Sequence, residues 1–215
     1  MKTYDYILFD LDGTLTDSAK GIMNGVKYAL KHYNIKEEDY GDLHRFIGPP
    51  MQTSFQDFYG FEVEKAKEAV AVYREYYGTQ GLFENEVYEG IENLLKQLKA
   101  AEKKLYVATS KPETYSIKIL EHFDLAKYFD LIGGATMDGK IGTKAEVIKH
   151  TLESASVFDL NNVLMIGDRH HDIEGAKEIG IDSMGILYGY GTREELEKAG
   201  ADYIAEKASD ILKYV

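Results

Sequence analysis

Short apolar runs that end abruptly in polar residues recur along this chain, and between them lie longer stretches with apolar positions every three or four residues. The first run, Ile7-Leu8-Phe9, is too short for a helix and stops at Asp10. It reads as a buried strand. From Asp17 the period becomes helical: Ile22, Val26, Ala29, Leu30 and Tyr33 form one face of an amphipathic helix that Asp17 or Ser18 would cap. A weak second helix runs towards Phe46, and Gly48-Pro49-Pro50 breaks it, because two prolines cannot continue a helix. After a short segment over 54–58, Ala66, Ala69, Val70 and Tyr73 line a longer helix over 64–77, closed by Gly78 and Gly81. Nothing in 17–80 reads as a strand.

From residue 88 the two patterns alternate. A helix over 88–101, packed through Ile91, Leu94, Leu95 and Leu98, feeds a strand over 104–108 that ends at Thr109-Ser110-Lys111-Pro112-Glu113. Ser110 with Glu113 has capping-box spacing for the helix that follows. A third strand over 129–134 precedes a second such box, Thr143 with Glu146, opening a helix through Val147, Ile148 and Leu152. A fourth strand over 162–166 runs into Gly167-Asp168-Arg169-His170-His171-Asp172, and Gly180 closes the next helix. A fifth, over 183–187, leads to Tyr188-Gly189-Tyr190-Gly191-Thr192, with Thr192 and Glu195 capping another helix and an edge segment over 201–205 after it. Alternating strands and helices predict an α/β fold on a Rossmann-like parallel sheet. The expected organisation is a core of 1–16 and 81–215 with a small helical domain, 17–80, inserted directly after the first strand. The competing expectation is that these helices simply pad the sheet.

Composition narrows the possibilities. In 215 residues there are no cysteines, so disulfides and thiolate metal sites are excluded. A net charge of −12 argues against nucleic acid or an anionic membrane as main partner, and requires any phosphate site to be locally cationic. No signal-peptide profile or membrane-length apolar run is visible, so a cytoplasmic protein, monomeric or weakly dimeric, is expected.

The polar groups at the strand ends carry the chemistry. Residues two apart on a strand point the same way, so Asp10 and Asp12 emerge together, with Gly13 allowing a sharp turn and Thr14 able to hydrogen-bond what it encloses. Like charges this close call for a cation. If the strands are parallel neighbours, Asp10, Asp12, Thr109, Lys144, Asp168 and Asp172 meet on one rim. The carboxylates suit Mg²⁺, which takes oxygen ligands. Lys144 falls at a first helical position, where the helix dipole disfavours a cation, so something negative is expected to face it. Thr109, Lys144 and the free N–H groups of a helix start suit phosphoryl oxygens. Adjacent His170 and His171 chelate one metal poorly and lack a third nitrogen or sulfur partner, which argues against zinc.

These residues resemble the haloacid dehalogenase (HAD) superfamily, whose four motifs stand in order as Asp10-Leu11-Asp12-Gly13-Thr14, Thr109, Lys144 and Gly167-Asp168 with Asp172. The resemblance spans essentially the whole chain. It implies that Asp10 is a nucleophile and Asp12 an acid/base. It also implies that Asp10, the Asp12 carbonyl and Asp168 bind Mg²⁺ with support from Asp172, and that Thr109 and Lys144 hold phosphate. The inserted helices resemble the C1-type cap of that superfamily, and Gly48-Pro49-Pro50 its specificity loop, with Arg45 either meeting a second anionic group or simply solvated. Gly13, Thr14, Ser110 and Lys111 are further expected substrate contacts. Asp12 argues against a dehalogenase, and the tail motifs look most like the phosphoglycolate phosphatase-like group and its 5′-nucleotidase-like branch. One departure from the wider family is Thr143-Lys144-Ala145, where a Lys-Pro segment is usual. The expected activity is hydrolysis of a small phosphorylated metabolite, of phosphoglycolate or nucleoside 5′-monophosphate type. The alternatives are a β-phosphoglucomutase-like phosphomutase and a non-catalytic phosphate-binding module.

Overall fold

The computed structural model describes residues 2–215. The chain runs β1 (Tyr6–Phe9), β2 (Thr16–Asp17), α1 (Ala19–His32), α2 (Met51–Tyr59), α3 (Val63–Tyr77), β3 (Glu86–Val87), α4 (Ile91–Ala100) and β4 (Lys104–Pro112). It continues through α5 (Glu113–His122), β5 (Leu131–Ala135), α6 (Lys144–Ser154), β6 (Val163–Gly167), α7 (His170–Ile179), β7 (Asp182–Ile186), α8 (Arg193–Ala199), β8 (Tyr203–Ala205) and α9 (Ala208–Ile211). Six strands form one parallel sheet in the order β5-β4-β1-β6-β7-β8. This is the α/β architecture expected from the alternation of patterns.

A parallel sheet covered on both faces buries successive side chains alike, which is why its strands read as unbroken apolar runs. Ile7, Leu8 and Phe9 of β1 and Leu164, Met165 and Ile166 of β6 are all fully buried. β1 is central, Phe9 standing level with Val107 on one side and Ile166 on the other. The ladder continues one step past β1, since the Asp10 N–H donates to the Ile166 carbonyl at 2.9 Å. All the strands therefore end on the same rim as Asp10.

Three local expectations are corrected. The strand ending in the second motif does not stop at Ala108 but runs on to Pro112, with its register against β5 shifting between Thr109 and Pro112. Ser110 is consequently a strand residue and not the cap of α5, which begins after Pro112. The helix expected from 88 begins only at Ile91, because Gly90 turns the chain at φ +83°. The capping box of α6 is as expected, with the Thr143 hydroxyl accepting from the Glu146 N–H at 3.3 Å and the Glu146 carboxylate accepting from the Thr143 N–H at 3.0 Å.

The described chain divides into two compact units, one made of the segments up to Asp17 and from Val87 onward, the other Ser18–Glu86. The second boundary lies beyond residue 80, because the turn over Gly81–Phe83 packs within the helical unit. A side chain at Gly21 would collide with the Gly81 carbonyl, and one at Gly25 would come within 2.7 Å of the Tyr73 ring. These contacts seat α1 on the 81–83 turn and on α3. Phe46 packs against Phe55, Phe58 and Tyr59 at centroid distances of 5.2, 5.3 and 6.0 Å. The chain leaves and re-enters the α/β unit through β2 and β3, which pair as a short ribbon. Among the described residues, no helix is long and apolar enough to cross a membrane.

Candidate active site

The rim of the sheet gathers buried charge. Asp10, immediately after β1, is only 8% exposed. The Lys144 ammonium reaches it from the first turn of α6, donating to Asp10 Oδ1 at 2.6 Å and to the Ala108 carbonyl at 3.2 Å. The same ammonium lies 2.8 Å from Asp172 Oδ1. Asp172, at the third position of α7, also accepts the Arg169 N–H at 3.0 Å, so it caps that helix while facing the lysine. The expectation that a lysine at a helix start must face negative charge thus has its partners in two aspartates.

Asp168, one residue past β6, is fully buried. Its Oδ2 accepts the Tyr190 N–H at 2.8 Å, and its Oδ1 lies 3.4 Å from the Thr14 hydroxyl. Three glycines make this packing possible. Gly13 takes φ +85° and stands so close that any side chain there would collide with the Asp168 carboxylate. Gly189 and Gly191 likewise leave no room for a Cβ against Asp168. The loop of residues 188–191, which the sequence reading does not place at the rim, packs directly on Asp168. Its signal is the alternation Tyr-Gly-Tyr-Gly directly after a strand, where the glycines permit close approach.

Asp10, Asp168 and Asp172 offer oxygens that all lie within 4.8 Å of one another. The Asp12 carboxylate is not among them. It turns to Lys111, whose ammonium donates to Asp12 Oδ2 at 2.6 Å. Asp10 and Asp12, expected to point together, are thus held by two different lysines. Lys111, expected to contact substrate, is engaged with Asp12. Thr109 is buried on β4, and its hydroxyl accepts the Lys111 N–H at 3.2 Å. Ser110 is half-buried on the strand between them. Arg45, Gly48 and Pro49 belong to the helical unit, where the Arg45 guanidinium stacks over Phe58 at 4.2 Å.

Burial pushes the Asp10 carboxyl up to about 6, against the pull of Lys144 and aided by the charges of Asp172 and Asp12. Asp168 is pushed well above the ordinary carboxylate range by burial and by Asp172 and Asp10, against the N–H from Tyr190. Burial disfavours the charged form of Lys144, but Asp10 and Asp172 outweigh it and hold its ammonium above its ordinary value. When ionised, three carboxylates face one ammonium, since Lys111 is matched by Asp12. An all-oxygen donor set with uncompensated negative charge fits a hard divalent cation.

An acidic, lysine-bearing rim at the carboxyl ends of a parallel sheet places the molecule among α/β enzymes that handle anionic substrates. The family is narrower than that. The sequence matches the haloacid dehalogenase-like hydrolases over residues 7–186, and the chain belongs to this family, as an enzyme of its phosphatase kind. It is 45% identical over 193 residues to a 5′-nucleotidase of Pseudomonas aeruginosa, covering 90% of this chain and 87% of that one. It is also 38% identical over 204 residues to the tyrosine-protein kinase PtkA of Mycobacterium tuberculosis, covering 94% of this chain and 69% of that one. A predicted phosphatase from Clostridium acetobutylicum, of known structure, matches with a TM-score of 0.93 at 47% identity over 99% of this chain and 98% of that one.

Proposed function

We propose that this chain is a Mg²⁺-dependent phosphatase that hydrolyses a small phosphomonoester through an aspartyl-phosphate on Asp10. The observation that carries the reading is the separation of two neighbouring aspartates onto two different lysines, Asp10 on Lys144 and Asp12 on Lys111. One carboxylate is embedded in the charged cluster, and the other stands apart from it with one oxygen unpartnered.

Lys144 holds one Asp10 oxygen, and the other attacks phosphorus as the bond to the leaving oxygen breaks. Asp12 gives that oxygen its proton. Asp12 then takes a proton from water, which attacks the phosphorus; the bond to Asp10 breaks and inorganic phosphate leaves. Thr109 and Lys144 offer the phosphoryl oxygens a hydroxyl and a positive charge. Mg²⁺ would be held by Asp10, Asp168 and the Asp12 carbonyl, with Asp172 behind them, and when bound it neutralises charge on the phosphoryl group.

We assign the helical unit the role of a selective cap, with Arg45 and the Gly48-Pro49-Pro50 turn as its discriminating elements. The 5′-nucleotidase relative supports a nucleoside 5′-monophosphate as substrate, with phosphoglycolate as the smaller alternative. The test is phosphate release across a panel of phosphomonoesters, with EDTA and with Mg²⁺ restored. Activity should vanish with EDTA, return with Mg²⁺ and rank the 5′-monophosphates highest. Undiminished turnover in EDTA would overturn the metal, and a flat ranking would overturn the substrate class.

A further inference from the structure

Lys111 lies at the rim, yet nothing in the reaction written above uses it. Its side chain is 5% exposed, and the Asp12 carboxylate that it meets is 13% exposed. The lysine is also fixed from behind. Its N–H donates to Thr109 Oγ1 at 3.2 Å, and its carbonyl lies against Gly134, where an added Cβ would come within 2.7 Å of it. The register shift of β4 against β5 falls between Thr109 and Pro112, so Lys111 sits in the irregular stretch whose backbone no longer follows the regular ladder. The two Asp12 oxygens are consequently unequal. Oδ2 receives the ammonium at 2.6 Å, whereas Oδ1 is buried and has no hydrogen-bond partner.

We propose that Lys111 is a positioning residue for the acid/base Asp12, rather than a ligand of the phosphate. A carboxylate oxygen occupied by an ammonium is a poor place for a proton, so the proton exchanged during the reaction resides on Oδ1. Lys111 thereby decides which oxygen faces the leaving group and, in the second half of the reaction, the water. It also prevents Asp12 from swinging into the Asp10, Asp168 and Asp172 cluster. This inference rests on the phosphatase reading above and deepens it.

The test compares two substrates whose leaving groups need protonation to different degrees. An alkyl phosphomonoester such as glycerol 2-phosphate requires a proton on its leaving oxygen, while p-nitrophenolate departs almost without one. In Lys111→Met, kcat/KM for the alkyl ester should fall by roughly 10²–10³, within the roughly 10²–10⁴ range of general-acid catalysis. For p-nitrophenyl phosphate it should fall less than about tenfold, and inhibition by inorganic phosphate should stay within about threefold. Lys111→Arg, which keeps a cation near Oδ2, should recover part of the alkyl-ester activity. Equal losses on both esters, or no loss, would overturn the proposal; so would a tenfold or greater weakening of phosphate inhibition, which would make Lys111 a phosphate ligand. If Lys111→Met does not fold, as judged by circular dichroism, the same ratios measured in Lys111→Arg and Lys111→Gln decide the matter. Asp12→Asn serves as the control. If it discriminates between the two esters and Lys111→Met does not, only this inference fails. If the wild type releases phosphate from neither, the phosphatase reading itself fails.

Discussion

The two units of this molecule are held together by different physics. The α/β unit buries Asp10, Lys111, Lys144, Asp168 and Asp172, whereas among the described residues of the helical unit the buried polar side chains are the neutral Ser18, Ser54 and Asn85. The helical unit is instead built on rings, with Phe46 at the centre of one group and Arg45 and Lys65 laid over its outer faces. A buried charge requires its partner at a fixed place, because removing one side leaves the other uncompensated. Aromatic packing tolerates exchange as long as volume is kept. The α/β unit should therefore fail at single atoms, and the helical unit by degrees.

The sharpest break of that contrast is Asp10→Asn. It alters one atom and keeps the shape, and it should lower phosphate release by more than about 10⁴-fold, with far-UV circular dichroism and thermal midpoint near those of the wild type. Release within tenfold of wild type would remove the covalent step. Lys144→Met comes next. It strands Asp10 and Asp172 together, and the cost should be about 3–5 kcal/mol in urea denaturation. Adding Asp172→Asn to that variant should return part of it; a purely additive second loss would show that the lysine is not there to balance charge.

In the helical unit, Phe46→Leu keeps the pocket apolar but loses ring contacts, so about 2 kcal/mol is expected, with p-nitrophenyl phosphate turnover per folded molecule unchanged. An electrostatic test on the other unit follows at smaller scale. Although burial raises the Glu195 carboxyl, the His170 N–H and the His170 and Arg169 side chains bring it down to about 2. A depressed carboxylate contributes stability above its unfolded value of 4.5 that is lost as pH falls towards 2. Glu195→Gln should therefore be about 1 kcal/mol less stable at neutral pH, and the two curves should converge in acid. Parallel curves down to pH 2 would contradict this. The smallest effect is expected from Arg45→Ala or from Pro49→Ala with Pro50→Ala. Each should change relative kcat/KM among larger esters by roughly threefold, under 1 kcal/mol, and leave p-nitrophenyl phosphate alone. Equal losses on every ester would remove the selective role.

Much of the α/β unit was readable because its signals are local. Apolar runs mark buried parallel strands, and the Thr143 and Glu146 box opens α6 so that Lys144 falls on its first turn. The features that escaped depend on remote partners. β4 extends past Ala108 only by pairing with β5, and the register shift that seats Lys111 beside Asp12 is a property of two strands rather than of one sequence. The close approach of Gly189 and Gly191 to Asp168 joins residues that nothing short-range connects. β2 and β3, two residues each, are too brief to show any period. Asp12 was legible as an acid at the rim, but not as one drawn away from its neighbour, since that choice belongs to Lys111.

The position of β1 in the middle of the sheet has a consequence for how the chain is made. Its apolar residues precede both of the strands it pairs with, so Phe9 has no neighbour on one side until Val107 has been synthesised, nor on the other until Ile166 has. At roughly 5–20 residues per second, Ile7-Leu8-Phe9 waits many seconds as an unpaired hydrophobic strand while the helical insertion, whose contacts are closer in sequence, can already form. The segment that leads into Asp10 and Asp12 is thus made well before its partner strands and must wait for them to acquire its surroundings. Slow elongation or truncation after the insertion would expose that strand to chaperones or to self-association, with no defect in the finished enzyme to betray it.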